Sequence, residues 1–482
     1  MKLLIDTNIF IPLEPTSPED VTAHTTLAAE LVQLATKTGI QIWLHPAQRV
    51  DIAQDATEGR RSVREQLFRK YPVLDITIPA APATRTNDWV DQQLINALQR
   101  NAVTALVTED RKLTRDAIAA AGADRVLTLA DAVSLLRSLL SQEVEPPPAV
   151  EAVRAFDLEG NDSFWDSFRE QYPGFDNWFR KCQEEHRQAW VIRAPATGDL
   201  AGVAIVNEER SEAKGRKTLK ICSLKVDPMH SGRRYGELLL KSVFQYAYEN
   251  RYDSFLITAF PEHEQLLALL GAFGFEREPE PKPSGELVLV KQWDLQPPPD
   301  ATADPLAYFV SRGPFALDLH SPMYLVPIRP EFHLLLFPEL QPQPALLPHH
   351  EAFGNSLRKA YLSSSAIAEM PPGSVLLFYR TVDEHAIRSW GVVEQTLRST
   401  DLDEICSFVL PRTVYTREQI EERLRRGAVL AIMFRQCLAR IDRQISLTEM
   451  SGARVLSAAP QSITQLQLEP KEWMVERCRK LF

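Results

Sequence analysis

The sequence predicts a multidomain protein built from α/β and α+β units, and three observations lead to this prediction. The chain of 482 residues is longer than one ordinary domain. Two proline-rich segments, EVEPPPAV at 143–150 and LQPPPDATADP at 295–305, divide it into predicted domains of 1–142, 151–297 and 305–482. Short apolar strands alternate with amphipathic helices in the first two pieces, and closely spaced β-like runs dominate the third.

The composition is that of a water-soluble globular protein, with 44% hydrophobic and 24% charged residues. Because no apolar run approaches the ~20 residues that span a bilayer and no secretory signal opens the chain, a cytoplasmic protein without membrane contact is expected. The 5 cysteines are scattered and form no CxxC pair, which argues against a disulfide framework or a zinc site. The net charge of −10 neither indicates nor excludes nucleic-acid binding.

The first piece begins with the strand MKLLID and continues with a predicted helix capped by Ser17, with Pro18 at its first position and Gly39 at its end. The run IQIWLHP follows as a second strand. Short strands between helices predict an α/β sandwich with a parallel sheet, in which ligands bind beyond the carboxyl ends of the strands.

Three carboxylates stand at such positions in the first piece. Asp6 ends a strand, Asp110 closes the strand ALVTED, and Asp91 begins the helix DQQLINAL. Burying unpaired charge is expensive, and a divalent cation makes a carboxylate cluster tolerable. Oxygen ligands suit Mg²⁺ or Mn²⁺, so a metal site at Asp6, Asp91 and Asp110 is predicted. In the alternative interpretation these carboxylates are ordinary turn and cap residues.

The motifs LLIDTNIF, DQQLINAL and LVTEDRKL resemble the PIN-domain family of metal-dependent ribonucleases. The resemblance implies catalytic roles for Asp6, Asp91 and Asp110. The Glu that the family usually places after strand two is replaced by Asp51, with Asp55 in reserve. The basic helix EGRRSVREQLFRK offers arginines to an RNA backbone, chiefly Arg60 and Arg64, although a solvated helix face is the alternative.

The second piece contains a strand, LKICSLKV, a turn, DPMHSGRRYG, and an amphipathic helix, ELLLKSVFQYAYEN. Such an arrangement brings free backbone N–H groups together at a helix N-terminus, where phosphate binds readily. Arg233 and Arg234 in the turn strengthen the prediction of a phosphate site.

This stretch resembles the GNAT family of acetyl-CoA-dependent N-acyltransferases, whose turn cradles the coenzyme A diphosphate. The resemblance implies acetyl-CoA as cofactor and the binding residues Leu224, Val226, Ser231, Gly232, Arg233, Arg234, Tyr235 and Gly236. Leu270 occupies the position where the family often carries a Tyr that protonates the departing thiolate. Glu208 is the candidate catalytic base, with Glu209 beside it, and a surface role is the alternative for both.

The third piece contains the β-like runs MYLVPI, FHLLLFP, GSVLLFYRT, SWGVVEQTL and GAVLAIMF, with predicted helices over NSLRKAYLSSS and TREQIEERLRR. This spacing predicts a small β-barrel with helices. The pattern PGSVLLFYR…GVVE resembles the ASCH group of PUA-like barrels, which implies RNA binding, with Lys359 and Arg380 as contacts. Lys359, Ser363 and Glu394 match the amide-hydrolysing set of some relatives; the alternative is a solvent-facing or phosphate-bound Lys359 and a strand-capping Glu394.

The order of the three pieces resembles bacterial PIN–GNAT–ASCH fusions. Together they predict an acetyl-CoA-dependent N-acyltransferase that acts on RNA, with tRNA as one candidate, or is regulated by it. Two alternatives are a non-catalytic, acetyl-CoA-sensing RNA-binding regulator and a nuclease of toxin–antitoxin type.

Overall fold

Three β-sheets follow one another along the part of the chain that the structure describes. The structure, a computed structural model, describes residues 2–82, 86–122, 125–140, 150–194, 197–210, 217–227, 230, 234–337, 340, 356–409, 412–438 and 444–479. The first proline-rich segment lies almost wholly outside these ranges. No helix in the described part of the chain is long and apolar enough to cross a membrane.

The first sheet has the strand order β2–β1–β3–β4, and all its pairings are parallel. Its strands are β1 (Lys2–Ile5), β2 (Gln41–Trp43), β3 (Ala105–Val107) and β4 (Val126–Leu127). The helices of this unit are α1 (Thr7–Leu13), α2 (His24–Thr38), α3 (Gln48–Ala53), α4 (Glu58–Phe68), α5 (Thr86–Gln99), α6 (Arg111–Ala121) and α7 (Leu129–Leu140). Apolar clusters cover both faces of the sheet, as a parallel sheet requires.

The predicted helix after Ser17 begins later than expected. Pro18–Asp20 form a single 3₁₀ turn, and α2 starts only at His24. Asp20 turns inward because its carboxylate accepts a hydrogen bond from Arg64 at 2.7 Å, and this contact ends the turn. The predicted end is confirmed, since Gly39 adopts the left-handed conformation with φ of 70°.

The second sheet has the strand order β10–β11–β9–β8–β7–β6–β5 and is antiparallel except for the β8–β9 pair. Its strands are β5 (Glu151–Arg154), β6 (Gln188–Arg193), β7 (Leu200–Arg210), β8 (Lys217–Val226), β9 (Ser254–Ala259), β10 (Glu276–Arg277) and β11 (Leu287–Gln292). Helices α8 (Asp166–Gln171) and α9 (Phe175–Glu184) pack on one face, and α10 (Tyr235–Glu249) and α11 (Glu264–Ala272) on the other. The predicted α+β unit is therefore present.

The third sheet has the path β13–β16–β15–β14–β12–β18, with β17 paired to β15. Its strands are β12 (Met323–Ile328), β13 (Arg358–Ser363), β14 (Val375–Arg380), β15 (Ala386–Ser399), β16 (Val429–Cys437), β17 (Ile445–Ser446) and β18 (Thr464–Gln465). Its helices are α12 (Pro305–Arg312), α13 (Pro330–Leu336), Leu402–Val409, Arg417–Leu424, Leu447–Gly452 and Leu468–Arg479. Among the described residues no pairing joins β13 to β18, so the predicted closed barrel is not observed.

Two local predictions for the third unit were wrong. The run NSLRKAYLSSS contains strand β13 instead of a helix, because Arg358–Ser363 pair antiparallel with β16 along their whole length. The run FHLLLFP contains helix α13 instead of a strand, since Pro330 at its first position favours a helix start. The strands predicted over MYLVPI, GSVLLFYRT, SWGVVEQTL and GAVLAIMF are confirmed as β12, β14, β15 and β16.

The second proline-rich segment connects two packed units instead of separating them. It leads from β11 to α12, and α12 folds back against β11. The buried ammonium group of Lys291 donates hydrogen bonds to the carbonyls of Val310 at 3.0 Å and Ser311 at 2.9 Å. Phe315 lies in the apolar core of the second unit and stacks on Tyr248 with ring centroids 4.3 Å apart. The second and third units therefore share a core.

We expect Gly274→Ala to lower the free energy of unfolding by about 2–4 kcal/mol, through left-handed backbone strain and overpacking. Gly274 has a φ of 77°, and a Cβ atom there would lie 2.0 Å from the Val310 carbonyl oxygen in α12. The matched control is Gly271→Ala in α11, where a Cβ meets nothing within 4 Å. Urea denaturation followed by tryptophan fluorescence measures both; equal stability of the two variants would contradict the packing of α12 described above.

Candidate functional site

A split in the second sheet creates the first candidate site. Strand β8 pairs with β7 over its full length, from Lys217 to Val226. It pairs with β9 only over Thr218–Ile221, opposite Ser254–Ile257. In the described residues the second half of β8 therefore has an edge that no strand of this sheet occupies. Backbone N–H and C=O groups along such an edge are available to an extended ligand.

An irregularity in β8 coincides with this split. The register with β7 shifts between Ile205 and Val206, so that Ile221 and Ser223 oppose adjacent residues and Cys222 bulges out. After the bulge, Leu224 faces the α10 side of the sheet and belongs to the apolar core there. Ser223 is buried, and its hydroxyl has no hydrogen-bond partner among the described residues. Bulges of this kind re-aim side chains next to functional sites.

The turn after β8 leads to the N-terminus of α10. Of the predicted diphosphate-binding residues, Ser231, Gly232 and Arg233 lie outside the described residues. Arg234 stands immediately before the helix with a φ of 60°, and Tyr235 is buried beneath His230, with ring centroids 6.0 Å apart. At Gly236 a Cβ atom would lie 2.8 Å from Leu269 of α11, so only glycine fits here without displacing that side chain.

A buried ion pair lies in the first turn of α10. Glu237 is 1% exposed, and its carboxylate accepts hydrogen bonds from the Arg412 guanidinium at 2.7 Å and from the backbone N–H of Arg358 at 2.8 Å. Burial alone would raise the pKa of Glu237, but the charges of Arg412 and Arg234 lower it to about 2. No local pattern in the sequence indicates this pair, because Arg412 lies 175 residues away in the third unit.

Two further predicted positions in the second unit can now be placed. Glu208 lies opposite Leu219, before the split in β8, where it pairs with Lys217 at 3.4 Å and accepts a hydrogen bond from Tyr252 at 3.4 Å. The structure thus places Glu208 about 10 Å along the strand from Ser223. Leu270 is fully buried in the core between α10 and the sheet and presents no group that transfers protons.

The carboxylates of the first unit form a second candidate site. Asp6 caps α1 and accepts hydrogen bonds from the Thr7 N–H at 2.6 Å and the Thr108 hydroxyl at 2.9 Å. The Thr7 hydroxyl donates to Asp51 at 2.9 Å, and the second carboxylate oxygen of Asp51 is buried without a partner. The carboxyl ends of β1 and β3 and the helix α3 are therefore brought together, as the sequence predicted.

Asp91 lies close enough to Asp6, Asp51 and Asp110 for the carboxylates to affect one another's charge. Burial raises the pKa of Asp6 to about 7, and burial together with the charge of Asp110 raises the pKa of Asp91 to about 6. Asp110 also caps α6 by accepting a hydrogen bond from the Leu113 N–H at 2.8 Å. The described residues contain no group of three or more acidic, histidine or cysteine side chains arranged to hold a metal ion. Carboxylate oxygens suit Mg²⁺ or Mn²⁺, but Asp6, Asp91 and Asp110 are not arranged as the predicted set of metal ligands in the described structure.

The arginines predicted to contact RNA in the first unit are engaged within the protein. Arg64 is buried between Asp20 at 2.7 Å and Asp55 at 2.5 Å. Arg60 contacts Asp55 at 3.0 Å and Glu19 at 3.3 Å. Asp55 thus holds α4 in place and does not join the other carboxylates. The basic run therefore forms a helix, α4, whose arginines Arg60 and Arg64 are paired with acidic side chains from outside that helix.

The corresponding residues of the third unit are also directed inward. Lys359 is fully buried and donates a hydrogen bond to the Leu336 carbonyl at 2.5 Å, so it offers no surface contact. Arg380 is buried and paired with Asp383 at 2.5 Å and with Glu384 at 3.3 Å. Glu394 accepts hydrogen bonds from Arg358 at 2.9 Å and from Arg435 at 2.5 Å. No bond joins Lys359, Ser363 and Glu394 into the proposed hydrolytic set in the described structure.

Comparisons with solved structures returned proteins of two kinds. The chain is similar to an ASCH protein from Zymomonas mobilis, with 17% identity, a TM-score of 0.23 and coverage of 32% of this chain and 94% of that chain. A protein assigned to the GNAT acetyltransferases from Desulfovibrio desulfuricans shows 16% identity, a TM-score of 0.24 and coverage of 30% and 96%. A chain of the NatC complex bound to a Gag peptide and CoA shows 13% identity, a TM-score of 0.24 and coverage of 30% and 99%.

The comparison with curated proteins found no match. A family model described as the acetyltransferase (GNAT) family matches residues 155–275. The matched range includes the split in β8, the turn after it and the whole of α10. Residues 155–275 are therefore a GNAT acetyltransferase domain.

Proposed function

We propose that the protein is an acetyl-CoA-dependent N-acyltransferase whose active site lies at the split between β8 and β9. The observation that carries the proposal is the second half of β8, Cys222–Val226, whose edge on the β9 side meets no strand among the described residues and which ends beside the N-terminus of α10. The pantetheine arm would lie along this edge and hydrogen-bond to its backbone. The diphosphate would meet backbone N–H groups at the helix start, with Arg234 beside it. The match of residues 155–275 to the GNAT family supports this assignment.

The chemistry needs few protein groups. An N–H of β8 polarises the thioester carbonyl, an acceptor amine attacks it, and the C–S bond breaks to release the thiolate. The amine loses one proton and the thiolate gains one. Since Leu270 supplies no acid, we assign a proton relay to Ser223, whose buried hydroxyl lies just past the bulge: it would pass its proton to the departing thiolate and take up the proton that the amine loses.

The acceptor class is an amine of RNA, aminoacyl-tRNA or protein. The sequence favoured RNA because of four basic residues, but Lys359, Arg380 and Arg64 are buried and Arg60 is paired with Asp55 and Glu19. These residues therefore give no support to RNA as the acceptor. Incubation of RNA and protein pools with isotopically labelled acetyl-CoA, followed by mass spectrometry, tests the proposal. Label on one class of amine supports transfer. Thermal stabilisation by acetyl-CoA without transfer to any pool would contradict the enzyme and favour the non-catalytic, acetyl-CoA-sensing regulator.

Arg234→Glu is expected to weaken acetyl-CoA binding by about tenfold or more, because it places a negative charge at the diphosphate site. The matched control is Arg251→Glu, at an exposed left-handed residue just past the other end of α10, with a φ of 54°. Isothermal titration calorimetry with acetyl-CoA compares the variants with the wild-type protein. Equal acetyl-CoA affinities of the two variants would contradict the proposal that the diphosphate binds at the N-terminus of α10.

A second candidate function, metal-dependent ribonuclease activity of the first unit, is favoured by one observation. Burial raises the pKa of Asp6, Asp51 and Asp91, the charge of Asp110 raises that of Asp91 further, and one buried carboxylate oxygen of Asp51 has no hydrogen-bond partner among the described residues. A divalent cation held by Asp6, Asp91 and Asp110 would offset the repulsion between these carboxylates and supply charge for a phosphate substrate. The observed side-chain positions would need to adjust to reach a cation, as no ligand group is formed among the described residues.

If this second function is correct, Mn²⁺ should raise the unfolding temperature and support cleavage of an RNA substrate. The double variant Asp6→Asn/Asp110→Asn should lose both effects, because two of the three predicted ligands lose their charge. The control is Asp75→Asn, an exposed carboxylate of the same unit. RNA cleavage that persists in the double variant would assign the activity elsewhere or to a contaminant.

The raised pKa of Asp6 also predicts how stability depends on pH. Its folded pKa of about 7 lies above the ordinary value of 3.8, so the folded state holds the proton more tightly than the unfolded state does. The free energy of unfolding should therefore fall as pH rises from about 4 to 7, by up to about 4 kcal/mol. Asp6→Asn should flatten this decline in urea titrations without added metal. A decline of the same size in that variant would contradict the assignment.

A further inference from the structure

The third unit contacts the second at the site proposed for acetyl-CoA. Glu237 is the third residue of α10 and lies in the helical turn whose N–H groups would face the diphosphate. Both groups that donate hydrogen bonds to its carboxylate, the Arg412 guanidinium and the Arg358 N–H, come from the third unit. The acetyltransferase sequence therefore carries a buried acidic group whose hydrogen-bonded cationic partner comes from another unit, in addition to the nearby charge of Arg234 in its own unit.

This arrangement has an electrostatic consequence for anion binding. A carboxylate in the first turn stabilises a helix N-terminus, but it repels a diphosphate that binds to the same N-terminus. The repulsion is strong because Glu237 is 1% exposed and water does not screen it well. Arg412 is 2% exposed and lies 2.7 Å from that carboxylate, so the pair is nearly neutral when viewed from the diphosphate position.

Further contacts fix the position of Arg412 relative to the helices. Arg435 donates a hydrogen bond to the Ala272 carbonyl at the end of α11 at 2.6 Å. Its guanidinium also binds Glu394, which in turn accepts a bond from Arg358, the neighbour of Glu237. Residues of β13, β15 and β16 thus hold both helices that border the proposed cofactor site. The backbone N–H of Ala360 in β13 also donates a hydrogen bond to the Arg412 carbonyl at 3.0 Å, which holds Arg412 beside this network.

We propose that Arg412 of the third unit is a functional component of the acetyl-CoA site, which it makes competent for the diphosphate by neutralising Glu237. The proposal rests on the proposed function and extends it, because it makes cofactor affinity depend on the docked third unit. Arg412 touches no reacting atom; it is a positioning residue that acts through Glu237. A purely structural ion pair would instead affect folding without any preference for anionic ligands.

The test compares the full-length wild-type protein with Arg412→Gln, Glu237→Gln and the double variant by isothermal titration calorimetry. Acetyl-CoA and S-acetylpantetheine, which lacks the diphosphate, serve as the two probes. For acetyl-CoA we expect about tenfold weaker binding in Arg412→Gln and about threefold or more tighter binding in Glu237→Gln. The double variant should return to within about threefold of wild type. S-acetylpantetheine should bind all four proteins with similar affinity.

Each outcome decides the matter. Acetyl-CoA affinity of Arg412→Gln equal to wild type, weaker binding by Glu237→Gln, or an equal loss for both probes would overturn the proposal. If Arg412→Gln does not fold, Glu237→Gln and the double variant still decide it, since only the first keeps the Arg412 charge and should bind acetyl-CoA more tightly. Failure of the wild-type protein to bind acetyl-CoA would refute the proposed function itself, which is a different result from normal wild-type binding with unaltered variants.

Discussion

The arrangement of the second and third units depends on the buried pairing of Glu237 with Arg412. Removing two charges from water is expensive, and the attraction between them compensates only when further hydrogen bonds satisfy both groups. The Arg358 N–H supplies one such bond to Glu237. A second set, Arg358 and Arg435 around Glu394, lies beside it at the same junction. Such pairs tolerate little displacement, so they define how one sheet faces the other more strictly than apolar contacts do.

Local patterns predicted much of the fold. The parallel first sheet followed from strands alternating with helices, and the strand, turn and helix of the acetyltransferase unit followed from LKICSLKV and ELLLKSVFQYAYEN. One prediction was wrong because a local signal, Pro330 at the start of α13, was overlooked, and others were wrong because distant chain segments decide the conformation. Strand β13 has a sequence that also suits a helix, and it is extended because β16 lies beside it. The open path of the third sheet likewise depends on strand ends that no local pattern specifies.

The same division applies to the sites. Asp6 and Asp110 were expected at one edge, because neighbouring parallel strands place their carboxyl ends together, and Asp6 does accept a hydrogen bond there from Thr108, two residues before Asp110. Arg64 and Lys359 were assigned to RNA from their charge alone, yet one is buried between carboxylates and the other reaches a main-chain carbonyl. Charge in a sequence identifies a group that needs a partner, and only the fold shows whether the partner is internal. The role of Glu237 was not predicted, because its partner, Arg412, is close to it only in the fold.

The stacking of Phe315 on Tyr248 has a practical consequence for how the acetyltransferase unit is inherited and handled. Its apolar core also includes Leu357 and Leu438, which the chain supplies long after residue 297. A fragment cut at that residue would expose aromatic surface around Trp293 to water and to other molecules. An exchange of the second unit between proteins would therefore have to include the third unit, because the two share one apolar core.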